Sequence, residues 1–310
     1  MRVCLIIIAF GEPESKLKLK ILQNNITKIK QYVSNLDIHL NLYTNDSELK
    51  NKILAIDQNI VINESKGYLL ELLFKFNQPE KYIDYDHIIL LLDDVEILNV
   101  DFNDLFETQK KYNLDILSTR ILGASHDMMS KYHTGLYYLV NMEFYMYVLT
   151  PQSYKRYFEQ FDKSHITMWG YDFALFYGSN LKVAINYQYA CSHYLRTTKA
   201  PNIGNREFNE ISKKMGITLY SQANPVMPLD KCDSEHYIKR AFYGTCDVTE
   251  KIRKLYDNGI RHIECSNDVF GDPNYGFYKY LVVLYNNNKI DVALEKSICK
   301  FVHHKDIIEL

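Results

Sequence analysis

Apolar and polar residues alternate in blocks along the first hundred residues, and these blocks predict strands and helices in turn. Four segments have the continuous apolar runs of buried β-strands: RVCLIIIAF, DIHLNLYTND, NIVIN and YDHIILLLDD. Residues 15–36 and the segment GYLLELLFKF instead carry apolar residues at helical spacing. Because buried parallel strands are almost continuously apolar, the pattern predicts an α/β fold in which helices flank a mostly parallel sheet.

Polar residues follow three of the predicted strands directly, in the segments FGEP, YTND and DDVE. In open α/β sheets, ligands bind in the crevice outside the carboxyl ends of the strands. We therefore expect these three polar segments to lie along one rim of the sheet and to form a binding site there.

The remainder of the chain changes character twice. A mixed pattern extends to about residue 200, and residues 201–237 contain prolines and glycines with little periodicity, which is typical of a connecting segment. From residue 238, short apolar runs separated by VFGDPNYG and NNNK indicate strands joined by turns. The sequence thus predicts a large α/β domain over residues 1–200 and a small all-β domain, a β-sandwich, over residues 238–310.

The net charge of the chain limits the classes of partner that we expect, and its composition indicates the kind of genome that encodes it. The 310 residues include 36 Lys and Arg against 38 Asp and Glu, so the net charge favours neither nucleic acid nor an anionic membrane surface as a partner. The 26 tyrosines, together with frequent Lys, Ile and Asn, are typical of an AT-rich genome, such as that of a large DNA virus or an AT-rich microbe.

Cysteine usage and apolar run lengths predict the compartment. The 6 cysteines include no CxxC pair, which is typical of a reducing environment. No apolar run approaches the roughly 20 residues of a membrane-spanning helix, and no cleavage site follows the first strand. These features predict a soluble protein with no membrane span, in the cytoplasm, or in the host cytoplasm if the source is viral.

Two adjacent carboxylates, Asp93 and Asp94, end the fourth predicted strand, and Glu96 follows two places later. Neighbouring carboxylates repel each other and are costly to desolvate unless a cation or a proton lies between them. Carboxylate oxygens are ligands suited to Mg²⁺ or Mn²⁺, and such an ion can neutralise a diphosphate and stabilise it as a leaving group. A solvated strand end would carry the same acids, so the residues alone leave both interpretations open.

The segment LLLDDVE resembles the DxD region of GT-A-type glycosyltransferases, in which carboxylates hold a divalent ion against the diphosphate of a nucleotide sugar. The spacing departs from that motif, because acid-x-acid falls here on Asp94 and Glu96, with Asp93 as an additional acid. The choice of the direct metal ligand therefore stays open.

Three later segments resemble parts of the same family in the order that the fold requires. MEFYMYVLTPQSYKRY, at residues 142–157, resembles the strand and helix start that shape the acceptor side, and MWGYDFAL, at 168–175, resembles a WGxD segment. KVAINYQYACSHYLR resembles the last strand of the catalytic domain, which ends in a histidine that completes the metal site. The resemblance covers roughly residues 1–200.

The resemblance implies a role for each group of residues on the rim. The residues implied to bind the donor are Ala9, Phe10, Gly11, Glu12, Thr44, Asp46 and Lys66. The implied ligands of Mn²⁺ or Mg²⁺ are Asp93, Asp94, Glu96 and His193. The residues implied to contact the acceptor are Glu143, Trp169, Gly170 and Tyr171. The implied partners are a nucleotide-sugar donor and a carbohydrate or glycoconjugate acceptor.

Several of these residues also have ordinary structural interpretations. Lys66 precedes a predicted helix whose N-terminus favours phosphate, but a solvated lysine is an equal alternative. Trp169 and His193 are residue types that are often buried in a core. Asp172 would deprotonate the acceptor in an inverting enzyme, or orient the acceptor or donor sugar in a retaining one, but it could instead cap a helix.

Residues 241–285 resemble a small β-rich module with a YG…DVT…SNDxFGDP pattern that is appended to unrelated proteins. That resemblance implies an accessory or carbohydrate-associated role, and a structural cap is the alternative.

Together these observations predict a metal-dependent glycosyltransferase that moves a hexose from a nucleotide diphosphate sugar, with UDP as the favoured nucleotide, to a hydroxyl acceptor. Two alternatives from other classes stay open. A sugar nucleotidyltransferase would need a Gly-rich phosphate loop after the first strand, which FGEPESKLKLK supplies poorly. A carbohydrate-binding protein with a degenerate transferase domain would explain the shifted acids. The chain has neither a GxGxxG nor a Walker loop, which disfavours dinucleotide enzymes and P-loop NTPases.

Overall fold

The computed structural model describes residues 1–124, 135–139, 142–172, 181–195, 201–214, 227–230, 236–273 and 279–301. The strands within these ranges are β1 (Arg2–Phe10), β2 (Asn35–Leu42), β3 (Val61–Glu64), β4 (His87–Leu91), β5 (Val95–Asn99), β6 (Ile116–Leu122), β7 (Leu136–Leu139), β8 (Met146–Leu149), β9 (Val183–His193), β10 (Met227–Pro228), β11 (Ile238–Tyr243), β12 (Cys246–Asp247), β13 (His262–Glu264), β14 (Tyr280–Tyr285), β15 (Ile290–Leu294) and β16 (Ile298–Lys300).

The helices within the same ranges are α1 (Ser15–Lys30), α2 (Ser47–Ile56), α3 (Leu69–Phe76), α4 (Phe102–Lys111), α5 (Pro151–Phe158), α6 (Pro201–Lys214), α7 (Thr249–Asp257) and α8 (Asn267–Phe270), with a 3₁₀ turn at Pro79–Tyr82. None of the helices in this part of the chain combines the length and the apolar character that crossing a bilayer requires.

One large mixed sheet forms the centre of the fold. Within the described residues, its strand order is β10-β7-β9-β6-β8-β4-β1-β2-β3, and β5 pairs with β9 off this path. The four strands β3, β2, β1 and β4 are parallel to one another, and β6 is parallel to β9. Strand β8 lies antiparallel between β4 and β6. The predicted α/β class, in which helices flank a largely parallel sheet, is confirmed.

The strands that carry the rim are buried on both faces. Six consecutive residues of β1, from Val3 to Ile8, and four of β4, from Ile88 to Leu91, are at most 1% exposed. This burial explains the continuous apolar runs in the sequence, because neither face of these strands meets water. The parallel direction of β1, β2 and β4 brings their carboxyl ends to one edge of the sheet, as predicted.

The C-terminal region forms two small antiparallel sheets, as predicted, and also contains helices. Strands β12, β11, β14 and β15 form one sheet, and β13 pairs with β16 in another. Helix α7 buries Ile252 and Tyr256, four positions apart, against this region. That spacing is a helical pattern in the segment DVTEKIRKLYD, which the prediction of an all-β domain did not include.

Strand β14 joins the C-terminal region to the large sheet, because every residue of it is buried. Tyr280, Val282 and Leu284 belong to the same hydrophobic core as the large sheet, whereas the alternate residues Leu281, Val283 and Tyr285 belong to a second core with α7. The two faces of one strand thus serve two cores. Residues 201–214, predicted as part of a connecting segment, form helix α6, and the division into domains stays a prediction.

Candidate active site at the rim of the sheet

The acid turn, which we define as residues 92–94, connects the buried strand β4 to the short strand β5. Strand β5 runs antiparallel to β9, and Val95 lies opposite His193, the last residue of β9. This pairing brings a histidine from 99 positions further along the chain to the acid turn, with Asp94 Oδ2 and His193 Nε2 at 3.1 Å. Asp94 and His193 are therefore two predicted site residues that the structure joins directly.

The His193 ring is held from three sides. Its Nδ1 lies 3.4 Å from the Gly123 carbonyl oxygen, and its ring centroid lies 4.8 Å from that of Tyr145. A side chain at Gly123 is impossible here, since a Cβ would come within 2.5 Å of the His193 carbonyl oxygen. Burial by itself lowers the pKa of His193, but the hydrogen bond and charge of Asp94 outweigh burial, so the pKa is raised above its ordinary value.

Asp93 is paired with a lysine from helix α1. Its Oδ2 lies 2.7 Å from Lys18 Nζ, and the two side chains are only 12% and 6% exposed. Burial raises the pKa of Asp93 to about 6, although the positive charge of Lys18 opposes the rise. The adjacent negative charge of Asp94 contributes to this rise. Asp93 is therefore a desolvated carboxylate whose compensating cation is a side chain of the chain itself.

Glu96, the third predicted acid, points away from His193. Val95 faces the same side as its partner His193, and side chains alternate along a strand, so Glu96 lies on the opposite face of the β5–β9 pair. Its oxygens accept hydrogen bonds from Asn24 Nδ2 at 2.8 Å and from the Tyr194 hydroxyl at 2.6 Å. Across the described ranges, no three His, Cys, Asp or Glu side chains converge as a metal site would require. Of the four predicted ligands, Asp94 and His193 are thus in contact, Asp93 is paired with Lys18, and Glu96 lies on the opposite face.

Helix α1 holds the acid turn and β5 through polar residues on its buried face. Asn25 donates to the Val95 carbonyl and accepts from the Ile97 amide, each at 2.8 Å, and Lys28 donates to the Ile97 carbonyl. Sequence reasoning missed Lys18, Asn24 and Asn25. The available signal was helical spacing, because Lys18 and Asn25 occupy the same buried stripe as the apolar residues of α1.

The donor-side residues lie where β1 and β2 end. Phe10 and Gly11 are buried and Ala9 is partly buried, so Glu12 is the exposed residue of these four. A Cβ at Gly11 would come within 2.8 Å of the Tyr43 ring, whose hydroxyl donates to the Glu12 carbonyl. Burial raises the pKa of Tyr43, and the negative charges of Asp93 and Asp94 raise it further. Tyr43 therefore faces the acid turn.

The other predicted donor residues differ in what holds them. The Thr44 hydroxyl is buried, and no side chain or backbone group of the described residues bonds to it. Asp46 caps helix α2, with its Oδ1 accepting from the Glu48 and Leu49 amides at 3.0 Å. Lys66 is exposed and precedes α3, whose first turn is capped by Glu71 through the Tyr68 amide at 2.8 Å.

The aromatic loop, which we define as residues 165–172, lies against helix α6. Trp169 is 38% exposed, and its ring packs on Gly204, where a Cβ would come within 2.7 Å of the indole. Tyr171 is only 1% exposed, and its hydroxyl lies 2.7 Å from the Asp162 amide and 2.9 Å from His165 Nδ1. Trp169 thus presents a face to solvent, whereas the Tyr171 ring is inside the protein. Gly170, at φ +86°, allows the turn between them.

A buried carboxylate of α6 fixes the start of the aromatic loop. Glu207 is 0% exposed and accepts from the Ile166 amide at 2.9 Å, the Thr167 amide at 2.9 Å and the Thr167 hydroxyl at 2.7 Å. The Leu70 amide, in the first turn of α3, donates to the Ile166 carbonyl at 3.1 Å. The loop is therefore tied to α6 on one side and to the donor-side helix α3 on the other. Sequence reasoning missed Glu207, because residues 201–237 were predicted to be a connecting segment.

Asp172 and Glu143 are partly buried beside a wall of tyrosines from β8 and α5. Burial raises the pKa of Tyr147, and the charges of Asp172 and Glu143 raise it further. Burial followed by the Asp172 charge likewise raises the pKa of Tyr157. Glu143 also acts on His193, whose pKa its charge raises. The charge of Glu143 therefore acts on both His193 and Tyr147.

The fold is similar to that of GalNAc-T7, whose crystal structure was solved with UDP, GalNAc and Mn²⁺. The TM-score is 0.53 at 11% identity, and the match covers 69% of this chain and 48% of that chain, so the chain spans about half the length of GalNAc-T7. A protein from Desulfovibrio desulfuricans G20, described as a nucleotide-diphospho-sugar transferase, matches with a TM-score of 0.38 at 14% identity, over 69% of this chain and 99% of that one. Neither a protein-family model nor the sequence of a curated protein matches the chain. The likeness to GalNAc-T7 confirms the GT-A-like fold.

Proposed function

We propose that the chain is a glycosyltransferase that transfers a sugar from a nucleotide diphosphate sugar to a hydroxyl acceptor at the rim of the large sheet. The observation that carries the proposal is the Asp94–His193 pair, at 3.1 Å, outside the carboxyl end of β4. The rim also exposes the ends of β1 and β2, where such folds bind ligands. The similarity to a fold solved with UDP, GalNAc and Mn²⁺ supports UDP and Mn²⁺ as the first donor and cofactor to test.

Asp94 and His193 fit a divalent ion as a partial ligand set. One carboxylate and one imidazole suit Mn²⁺ better than Mg²⁺, which favours oxygen ligands, and the diphosphate and water would complete the coordination. When bound, the ion would supply charge neutralisation of the diphosphate leaving group. Asp93 and Glu96 have partners of their own, Lys18 and the Asn24–Tyr194 pair, and in this proposal they shape the turn.

Other residues of the rim would bind and orient the two substrates. The Gly11 backbone beside the Tyr43 ring would contact the nucleotide, and the Thr44 hydroxyl is free to bond with the base or ribose. The exposed face of Trp169 would stack on an acceptor sugar, with Gly170 allowing its turn. Tyr171 would support the loop from inside.

In the proposed reaction, the acceptor oxygen forms a bond to the anomeric carbon while the bond from that carbon to the diphosphate oxygen breaks. The nucleoside diphosphate leaves with the electron pair of the broken bond. In an inverting reaction, Asp172 would take the acceptor proton, which requires its carboxylate to lie within hydrogen-bond reach of that oxygen. In a retaining reaction, Asp172 would orient the acceptor or the donor sugar.

The first test is a thermal-shift panel of UDP, GDP, CMP and UDP-sugars, each with Mn²⁺, Mg²⁺ or EDTA. A ligand that binds the native state raises the melting temperature in proportion to its affinity and concentration. We expect one nucleotide to shift the wild type in the presence of a metal ion, and Asp94→Asn to abolish that shift. Asp84→Asn, at the exposed opposite end of the β4 region, is the matched control and should retain the shift. A wild type that no nucleotide shifts with either ion contradicts the proposal.

A carbohydrate-binding protein with a degenerate transferase domain is the second candidate function. The partners of the predicted metal ligands favour it. Asp93 is paired with Lys18, and Glu96 accepts hydrogen bonds from Asn24 and Tyr194, so two of the three acids already have partners within the chain. Binding of free sugars without any metal-dependent nucleotide shift and without donor hydrolysis would establish this function instead.

A further inference from the structure

Lys18 is a buried lysine that connects three elements of the fold. It lies on α1, 4% exposed, and its Nζ is 2.7 Å from Asp93 Oδ2 in the acid turn. The same Nζ donates to the Gly11 carbonyl at the end of β1, at 2.9 Å. One ammonium group therefore joins the helix, the donor-side strand end and the acid turn.

A buried ammonium is costly to desolvate, so it is retained only where good partners compensate for the lost water. Lys18 has an anionic oxygen and a carbonyl oxygen as partners, both at normal hydrogen-bond distances. Among the described residues, Lys18 is the cation paired with Asp93, and without it the neighbouring buried carboxylates of Asp93 and Asp94 would lose that counter-charge. Two such carboxylates attract a cation strongly.

We infer that Lys18 is a positioning residue that takes the place of a cation beside Asp93, so that Asp94 is the one aspartate of the pair left to face an ion together with His193. The inference rests on the proposed function for the ion at Asp94. It also accounts for Asp93 as an additional acid beside Asp94, because Asp93 has an internal counter-charge. Lys18 acts through Asp93 and does not touch the ion or the substrate.

Removal of the Lys18 charge should therefore have an effect that damage to the structure cannot produce. Lys18→Gln keeps a donor for the Gly11 carbonyl but frees the Asp93 carboxylate to bind a cation. We expect Lys18→Gln to bind Mn²⁺ in the absence of nucleotide about tenfold more tightly than the wild type, because a buried positive charge near the ion is gone. Titration of the electron paramagnetic resonance signal of free Mn²⁺ measures this affinity.

Three further variants locate the cause of the effect. Lys18→Arg keeps the charge and should bind Mn²⁺ like the wild type. Lys18→Gln/Asp93→Asn removes both charges and should lose the gain in affinity. Lys20→Gln removes an equal charge from an exposed position on the same helix and should leave the Mn²⁺ affinity unchanged. If Lys18→Gln does not fold, as judged by its thermal melt, Lys18→Met replaces it in the same series.

The outcomes separate this inference from the proposed function. A Lys18→Gln variant that binds Mn²⁺ no more tightly than the wild type overturns the inference, even when UDP and Mn²⁺ shift the wild type. A gain that survives Asp93→Asn also overturns it, since the freed carboxylate is then not the cause. A wild type that no nucleotide shifts, together with the expected gain in Lys18→Gln, overturns the proposed function but supports the pairing of Lys18 with Asp93.

Discussion

In the proposed function, the acid turn serves the donor side and the aromatic loop the acceptor side, and each is fixed by one buried charged side chain from a helix. Lys18 of α1 holds the acid turn, and Glu207 of α6 holds the aromatic loop. The difference lies in what else supports them. The acid turn is joined directly to two strands of the large sheet, β4 and β5. The residues that lead along the chain into the aromatic loop do not form a strand.

This difference suggests how the two sides can vary. A change in the acid turn disturbs β4 and β5 and thus the centre of the sheet, because β4 is completely buried. A change in the aromatic loop is absorbed by its contacts with α6 and the start of α3. If the proposed function is correct, the residues that bind the donor and the ion lie at the ends of the strands of the sheet. The residues that recognise the acceptor then lie in a loop that helices hold in place.

The largest expected effect is that of His193→Ala on the side of the acid turn. The substitution removes one of the two proposed ligands and leaves Asp94 without its partner, so we expect transferase activity and Mn²⁺-dependent UDP binding to fall by about 100-fold. Activity assays and titration calorimetry measure the two losses. His262→Ala, at an exposed histidine of β13, is the control and should have no effect. Retention of Mn²⁺-dependent UDP binding in His193→Ala would remove His193 from the site.

Glu207→Ala tests the other side of the comparison. It leaves two buried amides and one hydroxyl without an acceptor, so we expect the free energy of unfolding to fall by about 3 kcal/mol in urea titrations. The acceptor KM should rise, while the UDP shift with Mn²⁺ stays as in the wild type. Lys213→Ala, exposed on the same helix, should change neither. Equal losses of donor and acceptor binding would show that the two sides are not independent.

Gly204→Ala should perturb the aromatic loop more gently. The added methyl would come within 2.7 Å of the Trp169 indole, so the ring has to shift, at a cost of about 1 kcal/mol. Trp169 is the single tryptophan of the chain, so fluorescence excited at wavelengths that tyrosine does not absorb reports on this ring alone. We expect a changed emission maximum and a rise of a few-fold in the acceptor KM. An unchanged spectrum would place the indole elsewhere than on Gly204.

The smallest expected effect is that of Lys66→Ala. Lys66 is exposed, so stability should not change, and the thermal melt without ligand checks this. If the side chain reaches the diphosphate, UDP affinity should fall by a few-fold and depend less on salt concentration. Equal UDP affinity in Lys66→Ala and the wild type would identify Lys66 as a solvated lysine.

The structural features that the sequence predicted best are those that depend on a single local pattern of residues. The apolar runs of β1, β2 and β4 end in polar residues, and parallel strands place those ends at one edge, so the rim could be predicted. The meeting of Asp94 and His193 depends on the pairing of β5 with β9, about a hundred residues apart, which no local pattern reveals. For His193, only the family resemblance pointed to the site.

Polar residues with structural roles were the hardest to predict. Lys18 and Asn25 are polar residue types, yet they occupy the buried stripe of α1 because the acid turn and β5 supply their partners. Asp46 illustrates the reverse, since a carboxylate at a predicted ligand-binding edge caps α2. In each case, the partner lies on a different element or is a backbone amide, and neither can be read from residue type alone.

Strand β14 has a consequence for any attempt to separate the two regions of the chain. Tyr280, Val282 and Leu284 cover part of the core of the large sheet, so a chain cut at residue 237 would leave that part facing water. Such a truncated protein would be expected to aggregate or to melt at a lower temperature, and the intact chain to unfold in a single cooperative transition. The C-terminal region therefore serves as a wall of the transferase-like fold, whatever else it binds.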